Sequence, residues 1–339
     1  MNKTIKKTLK IAGIVLGSVA GLFLLLYFIL FLIGLKYNDV RDIRKYVCDI
    51  PESNSGWAMQ GIAYTGEEYI QTGYDGDDNM ILYIGKGSNF KRVTVTDEKG
   101  KTAKGHAGGV ACTGNNVYIA NETVLMRYDL SELRDAKAGG KVQVKQSIPV
   151  DVGAAFCFSD ETHLYVGEFY RKGNYETEKS HHYTTPNGTN NKAIVSCYKL
   201  DERGMMAEDG VQPYPEYCIS VTELVQGFAI KGETVMLSRS WGLSDSHLDY
   251  HTLPIDGGAT VKVTFAENKD AEQKEVPLYY LDGTTKFKTL TLPSFSEDLT
   301  IADGRVVVTN EACANKYIVG KLFGANKVYS YPIYKKAEN

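Results

Sequence analysis

Five stretches of this 339-residue chain repeat one pattern: QGIAYTGEEYIQTGYD (60–75), HAGGVACTGNNVYIAN (106–121), GAAFCFSDETHLYVGE (153–168), QGFAIKGETVMLSRSW (226–241) and EDLTIADGRVVVTNE (297–311). Each sets a run of small and apolar residues, a short polar turn containing Gly or Asp, and a second apolar or aromatic run. A third apolar run follows each pair: NMILYIG (79–85), TVLMRYDL (123–130), AIVSCYKL (193–200), HLDYHTLPI (247–255) and NKVYSYPI (326–333). A fourth precedes the next repeat: FKRVTVTD (90–97), KVQVKQSIPV (141–150), EYCISV (216–221) and KFKTLTLP (286–293). A unit of four short strands cannot bury its faces alone, so tandem copies must cover one another.

Four-stranded antiparallel units in tandem predict an all-β chain with the architecture of a five-bladed β-propeller. The 33 Gly and 23 Tyr suit a fold of many tight turns and aromatic strands. The fifth unit lacks its fourth strand. KYVCDIP (45–51) precedes the first repeat as SIPV and EYCISV precede later ones, so it is expected to supply that outer strand to the last blade and close the ring. Closure would remove the unpaired edges of an open array.

Ile11 to Leu35 is 25 residues without a charge. As a helix it would be roughly 37 Å long, enough to cross a ~30 Å hydrocarbon core with some tilt. A cleavable signal peptide would have a shorter apolar core and a small-residue cleavage site, which FLIGLKYNDV does not offer, so the segment reads as an uncleaved signal anchor. Lys3, Lys6, Lys7 and Lys10 precede the span and Lys36, Arg41, Arg44 and Lys45 follow it, a slight bias toward a cytoplasmic N-terminus. The expected organisation is a basic cytoplasmic tail (1–10), a transmembrane helix (11–35), a linker (36–44), a propeller outside the cytoplasm (45–335) and a tail (336–339). The formal net charge of −3 provides no basic excess, so nucleic acid is not an expected partner.

Naming the strands of a blade A to D from the centre outwards, antiparallel succession places the D-to-A and B-to-C loops on one rim. The linker enters the closing strand from the opposite rim, so the first rim is expected to face away from the bilayer. The D-to-A loops bring Gln60, His106, Asp151, Gln226, Glu297 and Asp298 to it. B-strand ends and B-to-C loops bring Gln71, Tyr74, Asp75, Asn121, Glu122, Glu168, Arg171, Arg239, Trp241, Asn310, Glu311 and Lys316. Gly73, Asn121, Arg239 and Glu311 each lie seven residues past a turn glycine. The ligand-binding candidates are Gln60, Asn121, Gln226, Arg239, Trp241 and Asn310.

The catalytic candidates are Glu168, Glu311, His106, Glu122 and Asp75, because acid–base work needs two titratable groups within reach of one bound molecule. His181-His182 lies in a polar insertion and lacks the i, i+4 spacing of a helical zinc site, so it reads as rim loop. TVKVTFAENKDAEQKEVPLYYLD reads as an extra hairpin on the lower rim of the fourth blade. Cys48, Cys112, Cys157, Cys197, Cys218 and Cys313 show no metal-ligand spacing, and a Cys197–Cys218 disulfide between neighbouring strands is compatible with strand order. No metal site and no cofactor are expected, although the central channel could hold a structural cation.

QGIAYTGEEYIQTGYD and its tandem partners are similar, over about twenty residues, to the QGL and ESTG segments of plant-type glutaminyl cyclases, themselves propellers. That resemblance implies a site in the central funnel. Where the family has an acidic residue before STG this chain has Gln71, which cannot act as acid or base. With no nucleophile elbow, metal triad or cofactor fingerprint, the sequence points to a membrane-anchored binding module for an extracytoplasmic small molecule, glycan, peptide or envelope protein. The alternative is an extracytoplasmic enzyme, glycoside-active, lactonase-like or glutaminyl-cyclase-like, with its site in the funnel.

Overall fold

A computed structural model of the chain describes residues 3–254 and 259–336. The first two residues of the basic tail, the final residue of HLDYHTLPI and the C-terminal tail from 337 lie outside the described residues. The chain divides into two compact units, one ending at Ile43 and one beginning at Arg44. In the first, helix α1 runs Lys3–Leu35, and its stretch Ile5–Leu32 has a mean hydropathy of 2.6, long and apolar enough to span a membrane. A short helix, α2, follows at Asn38–Ile43.

The second unit is a propeller of five blades. Strand β1 is Lys45–Asp49. Blade 1 is β2 (Ala58–Tyr64), β3 (Tyr69–Tyr74), β4 (Met80–Lys86) and β5 (Asn89–Thr96). Blade 2 is β6 (Gly109–Thr113), β7 (Asn116–Asp129) and β9 (Gln146–Ala154), with helix α3 (Leu130–Asp135) and the short strand β8 (Lys141–Gln143) between β7 and β9 in the chain. Blade 3 contains β10 (Phe156–Ser159), β11 (His163–Gly167), the small pair β12 (Tyr183–Thr184) and β13 (Asn190–Asn191), β14 (Ala193–Lys199) and β15 (Tyr217–Val221). Blade 4 is β16 (Val225–Lys231), β17 (Thr234–Arg239), β18 (Ser246–Thr252) and β21 (Lys286–Leu292), interrupted by β19 (Ala259–Val263) and β20 (Lys274–Tyr280). Blade 5 is β22 (Ser296–Ala302), β23 (Arg305–Asn310) and β24 (Lys327–Pro332).

The fourth strand of blade 5 is β1, antiparallel to β24 with Tyr46 opposite Tyr329 and Cys48 opposite Val328. The inner strands contact one another in the cyclic order β2, β6, β10, β16, β22 and back to β2. In blade 2 the B and C strands are one continuous extended segment, β7, that reverses at Glu122 (φ 56°). The Leu130 N–H reaches the Asn115 carbonyl (2.8 Å), which a straight strand at about 3.3 Å per residue would forbid. KVQVKQSIPV is split: β8 pairs in parallel with β5 of blade 1, and only β9 belongs to blade 2.

Packing at the axis is set by residues with little or no side chain. A Cβ on Gly109 would fall 2.5 Å from the Cys157 nitrogen and 2.6 Å from the Phe156 Cα, both backbone of the next blade. Around this axis the apolar faces between blades interlock; Ala111, Tyr118, Cys157, Leu164 and Val166 share one cluster across blades 2 and 3. Asp298, read from sequence as a rim residue, is fully buried instead. Its Oδ2 accepts from the backbone N–H groups of Ile62 in blade 1 (3.1 Å) and Val110 in blade 2 (3.3 Å), tying three blades together.

Two local expectations are corrected. The β19–β20 hairpin does not stay on the lower rim, because β20 pairs in parallel with β15 and extends the outer edge of blade 3. Its tip reaches the other rim, where Glu267 accepts from the Thr123 hydroxyl (2.8 Å). A Cys197–Cys218 disulfide is excluded by register: Cys197 lies opposite Tyr217 and Cys218 opposite Ser196, so the two thiols project to opposite faces. All six cysteines are free thiols.

Candidate functional site

The D-to-A and B-to-C loops enclose a cavity of about 960 Å³. All five blades line it: Gln60 and Tyr74 from blade 1, His106 and Asn121 from blade 2, Glu168 from blade 3, Gln226 and Trp241 from blade 4, Glu311 and Lys316 from blade 5. The hairpin tip (Thr264, Phe265, Ala266) completes one wall.

On the blade 5 side, β22 bulges between Ser296 and Leu299, which takes Glu297 out of the ladder and leaves it facing the cavity. Glu311 follows the end of β23, and the two carboxyl groups hydrogen-bond each other. Burial, then the charge of Glu311, pushes Glu297 well above the ordinary carboxylate range. Burial also raises Glu311, against the opposing pull of Lys316, Tyr317 and Gln60. Two carboxyl groups this close cannot both ionise readily, so each disfavours the charged form of the other. Glu311 Oε2 accepts from Gln60 Nε2 (2.8 Å) and the Tyr317 hydroxyl (2.8 Å). Gln226 Nε2 donates to Glu297 Oε1 (3.4 Å).

Beside the pair, Lys316 Nζ lies 4.0 Å from Glu311 Oε2 and contacts the Tyr74 hydroxyl. His106 stacks on Tyr74 with ring centroids 4.6 Å apart. Burial and then Lys316 lower the His106 pKa, which favours the neutral imidazole. The opening HAGG motif therefore contributes a stacked ring from its histidine and close inter-blade packing from its glycines.

On the blade 3 side, the insertion 170–192 folds inward and is not merely a rim loop. A 3-10 turn at Lys179–His181 places His181, 1 % exposed, against Glu168, with Nδ1 2.9 Å from Oε1. Glu168 Oε2 also accepts from the Ile194 N–H (3.1 Å). Burial works against the charged imidazole, but the hydrogen bond and charge of Glu168, with Asp151 behind, jointly outweigh it, and the His181 pKa is raised. Asp151, buried, is held by the Tyr198 hydroxyl and by Ser196 Oγ (2.9 Å). Burial raises it above the ordinary range.

Of the catalytic candidates, Glu168, Glu311, His106 and Glu122 line the cavity and Asp75 does not. Asp75 is committed to its own turn, accepting from the Asp77 N–H (2.9 Å), the Asn79 N–H (3.0 Å) and Asn79 Nδ2 (3.0 Å). The candidates do not pair with each other: Glu311 pairs with Glu297, and Glu168 with His181. Of the binding candidates, Gln60, Asn121, Gln226 and Trp241 line the cavity. Arg239 is outside it because Nε is held 2.6 Å from the buried Asp249. Asn310 is 2 % exposed, donates to the Ser294 carbonyl (2.7 Å) and accepts from the Ala312 N–H (3.0 Å).

Trp241 meets Arg171, 4.0 Å from its ring centroid, and stacks on Phe169 at 5.9 Å, so it has different neighbours from the Arg239 beside it in sequence. Gln71 also lies outside the cavity. Its Nε2 donates to the Asp49 carbonyl (3.0 Å) and so fastens β1 to blade 1. Among the described residues no group of three or more His, Cys, Asp or Glu side chains has the geometry to hold a metal ion.

Strand order and blade count define the class: this is a five-bladed β-propeller preceded by an apolar helix able to span a membrane. No protein-family model matches the chain. No curated protein matches it either. Among solved structures it is similar to the glutaminyl cyclase of Myxococcus xanthus, at 9 % identity and a TM-score of 0.38 over 85 % of this chain and 94 % of that one. It is also similar to a Thermus thermophilus protein described as a putative oxidoreductase (glucose dehydrogenase), at 12 % identity and 0.39 over 85 % and 98 %. Citrobacter koseri AztD matches at 11 % identity and 0.30 over 79 % and 64 %.

Proposed function

We propose that the chain is a membrane-anchored propeller whose central cavity binds a small polar ligand, a glycan or the end of a peptide, outside the cytoplasm. The observation that carries this reading is the convergence of loops from all five blades on one cavity of about 960 Å³, a volume within the range of ligand pockets. Its wall combines hydrogen-bonding groups such as Gln60 and Gln226 with the aromatic surface of Tyr74, Phe169 and Trp241. Such a wall orients a polar molecule while covering its less polar faces.

Glycan and peptide panels presented to the full chain in nanodiscs should yield saturable binding. Alanine at both Gln60 and Gln226 should weaken it at least about tenfold, the value of one or two lost hydrogen bonds. Binding indifferent to that double substitution would remove the cavity from the reading. The location is tested separately. An external protease added to intact cells should degrade a C-terminal epitope while the membrane remains sealed, and full protection of the epitope would place the propeller on the other side.

The raised pKa of both Glu297 and Glu311, side by side in the cavity wall, supports a second reading, an enzyme. A carboxyl raised by burial beside a second carboxyl is an arrangement that general acid–base catalysis uses. Turnover of a cavity ligand, abolished by Glu311→Gln, would select this reading over simple binding.

A further inference from the structure

The geometry points to an ammonium-binding cage on the blade 5 side of the cavity, built from the rings of Tyr74 and Tyr317 and the carboxylate of Glu311, in which the chain's own Lys316 sits where a ligand's amine would sit. This rests on the reading of the cavity as a ligand site. Lys316 Nζ is 4.4 Å from the centroid of Tyr74, 4.6 Å from that of Tyr317 and 4.0 Å from Glu311 Oε2. At Tyr74 the ammonium meets the hydroxyl edge of the ring, so the cage combines the Tyr317 ring, a phenol oxygen and a carboxylate around one cation, groups that together accept an ammonium's charge and its N–H donors.

Lys316 is a replaceable occupant. It lies in the loop between β23 and β24, and its side chain is 40 % exposed, so the ammonium can swing to solvent. Tyr74, Tyr317 and Glu311 are held by other contacts: Tyr74 by His106, Tyr317 by Phe295, and Glu311 by Gln60 and Glu297. The cage therefore persists without the lysine.

Charge selects the ligand. Lys316 is the cation beside the Glu297–Glu311 pair. The remaining ionisable lining is mostly acidic, Asp78, Glu122, Asp151, Glu168, Glu176 and Glu178 against His106 and His181. An anionic ligand attracted to Lys316 would face repulsion from these acidic groups, whereas an amine that displaces Lys316 keeps a cation beside the pair. The ligand class is thus a small polar molecule carrying a primary amine.

The test uses the full chain in nanodiscs and two matched probe pairs, D-glucosamine with N-acetyl-D-glucosamine and tyramine with N-acetyltyramine, with affinities measured by calorimetry. Lys316→Met vacates the cage, and the amines should then bind about tenfold more tightly than to the parent chain, the effect of one cation contact. Lys316→Arg keeps the cation and should bind them as the parent does. Glu311→Gln should weaken the amines, and the N-acetyl partners should not respond to any of the three changes. Weaker amine binding by Lys316→Met would make Lys316 a ligand contact and overturn the proposal. Equal binding of amine and N-acetyl partners would overturn it while leaving the cavity reading intact. Failure of either amine to bind the Lys316→Met chain would overturn it as well, whatever the glycan and peptide panels show.

Discussion

Gly109→Ala is expected to destabilise the propeller by about 3 kcal/mol or more, the upper range for forcing an atom into a filled core. The added Cβ would meet the Cys157 nitrogen at 2.5 Å, the Phe156 Cα at 2.6 Å and the Phe156 carbonyl carbon at 3.0 Å. All three are backbone atoms of β10, so no side-chain rotation relieves the contact. The blades must separate, and the apolar faces around Ala111 and Cys157 would then lose their contacts. Gly76→Ala is the control, since nothing lies within 4 Å of its would-be Cβ, and it should stay within about 0.5 kcal/mol. Denaturant midpoints of the two variants in the same detergent decide the matter. Equal midpoints would show that inner-strand crowding does not set the blade spacing.

The same glycine shows why so much of the fold was legible in the sequence. Each blade carries its own copy of the A–turn–B pattern, so five local signals agree, and Lys45–Asp49 takes the outer place in blade 5 that the missing strand left open. Strand patterns are local, and a ring of repeats needs little else. Contacts made between distant segments were not legible. The β19–β20 hairpin joins blade 3 by parallel pairing with β15, for which no turn or spacing gives a cue. His181 reaches Glu168 only because the insertion folds inward, and adjacent histidines in a polar loop announce no such path.

The acidic pair was half legible: Glu311 stood out by its place after the turn glycine, while Glu297 was one of several polar residues at a strand entry. A bulge between Ser296 and Leu299 gives the two neighbouring acids different fates. Glu297 faces the cavity, whereas Asp298 is buried against the inner strands of blades 1 and 2.

Glu297→Gln is expected to stabilise the folded chain at neutral and mildly alkaline pH. In the folded state burial, and then the charge of Glu311, holds the Glu297 pKa well above the value of about 4.3 expected when unfolded. Between these two values the folded chain keeps a proton that the unfolded chain has released. Stability therefore falls as pH rises from the unfolded pKa and levels off only above the folded one. Asp298 and Asp151, raised by burial, slope the same way and remain in the variant, so the difference between variant and parent isolates the Glu297–Glu311 pair.

Glutamine fills the same space, can still donate to Glu311 and cannot ionise. The two chains should thus be nearly equal at pH 4, and by pH 8 the variant should lead by on the order of 1–2 kcal/mol. Chemical unfolding at four pH values between these limits measures the divergence, and parallel curves would refute a raised Glu297 pKa in the folded chain. Divergence would mean that the parent chain retains a buried acid at a cost to its own stability. Packing gives no reason for that, because glutamine packs as well; the reason then lies in what the cavity binds or converts.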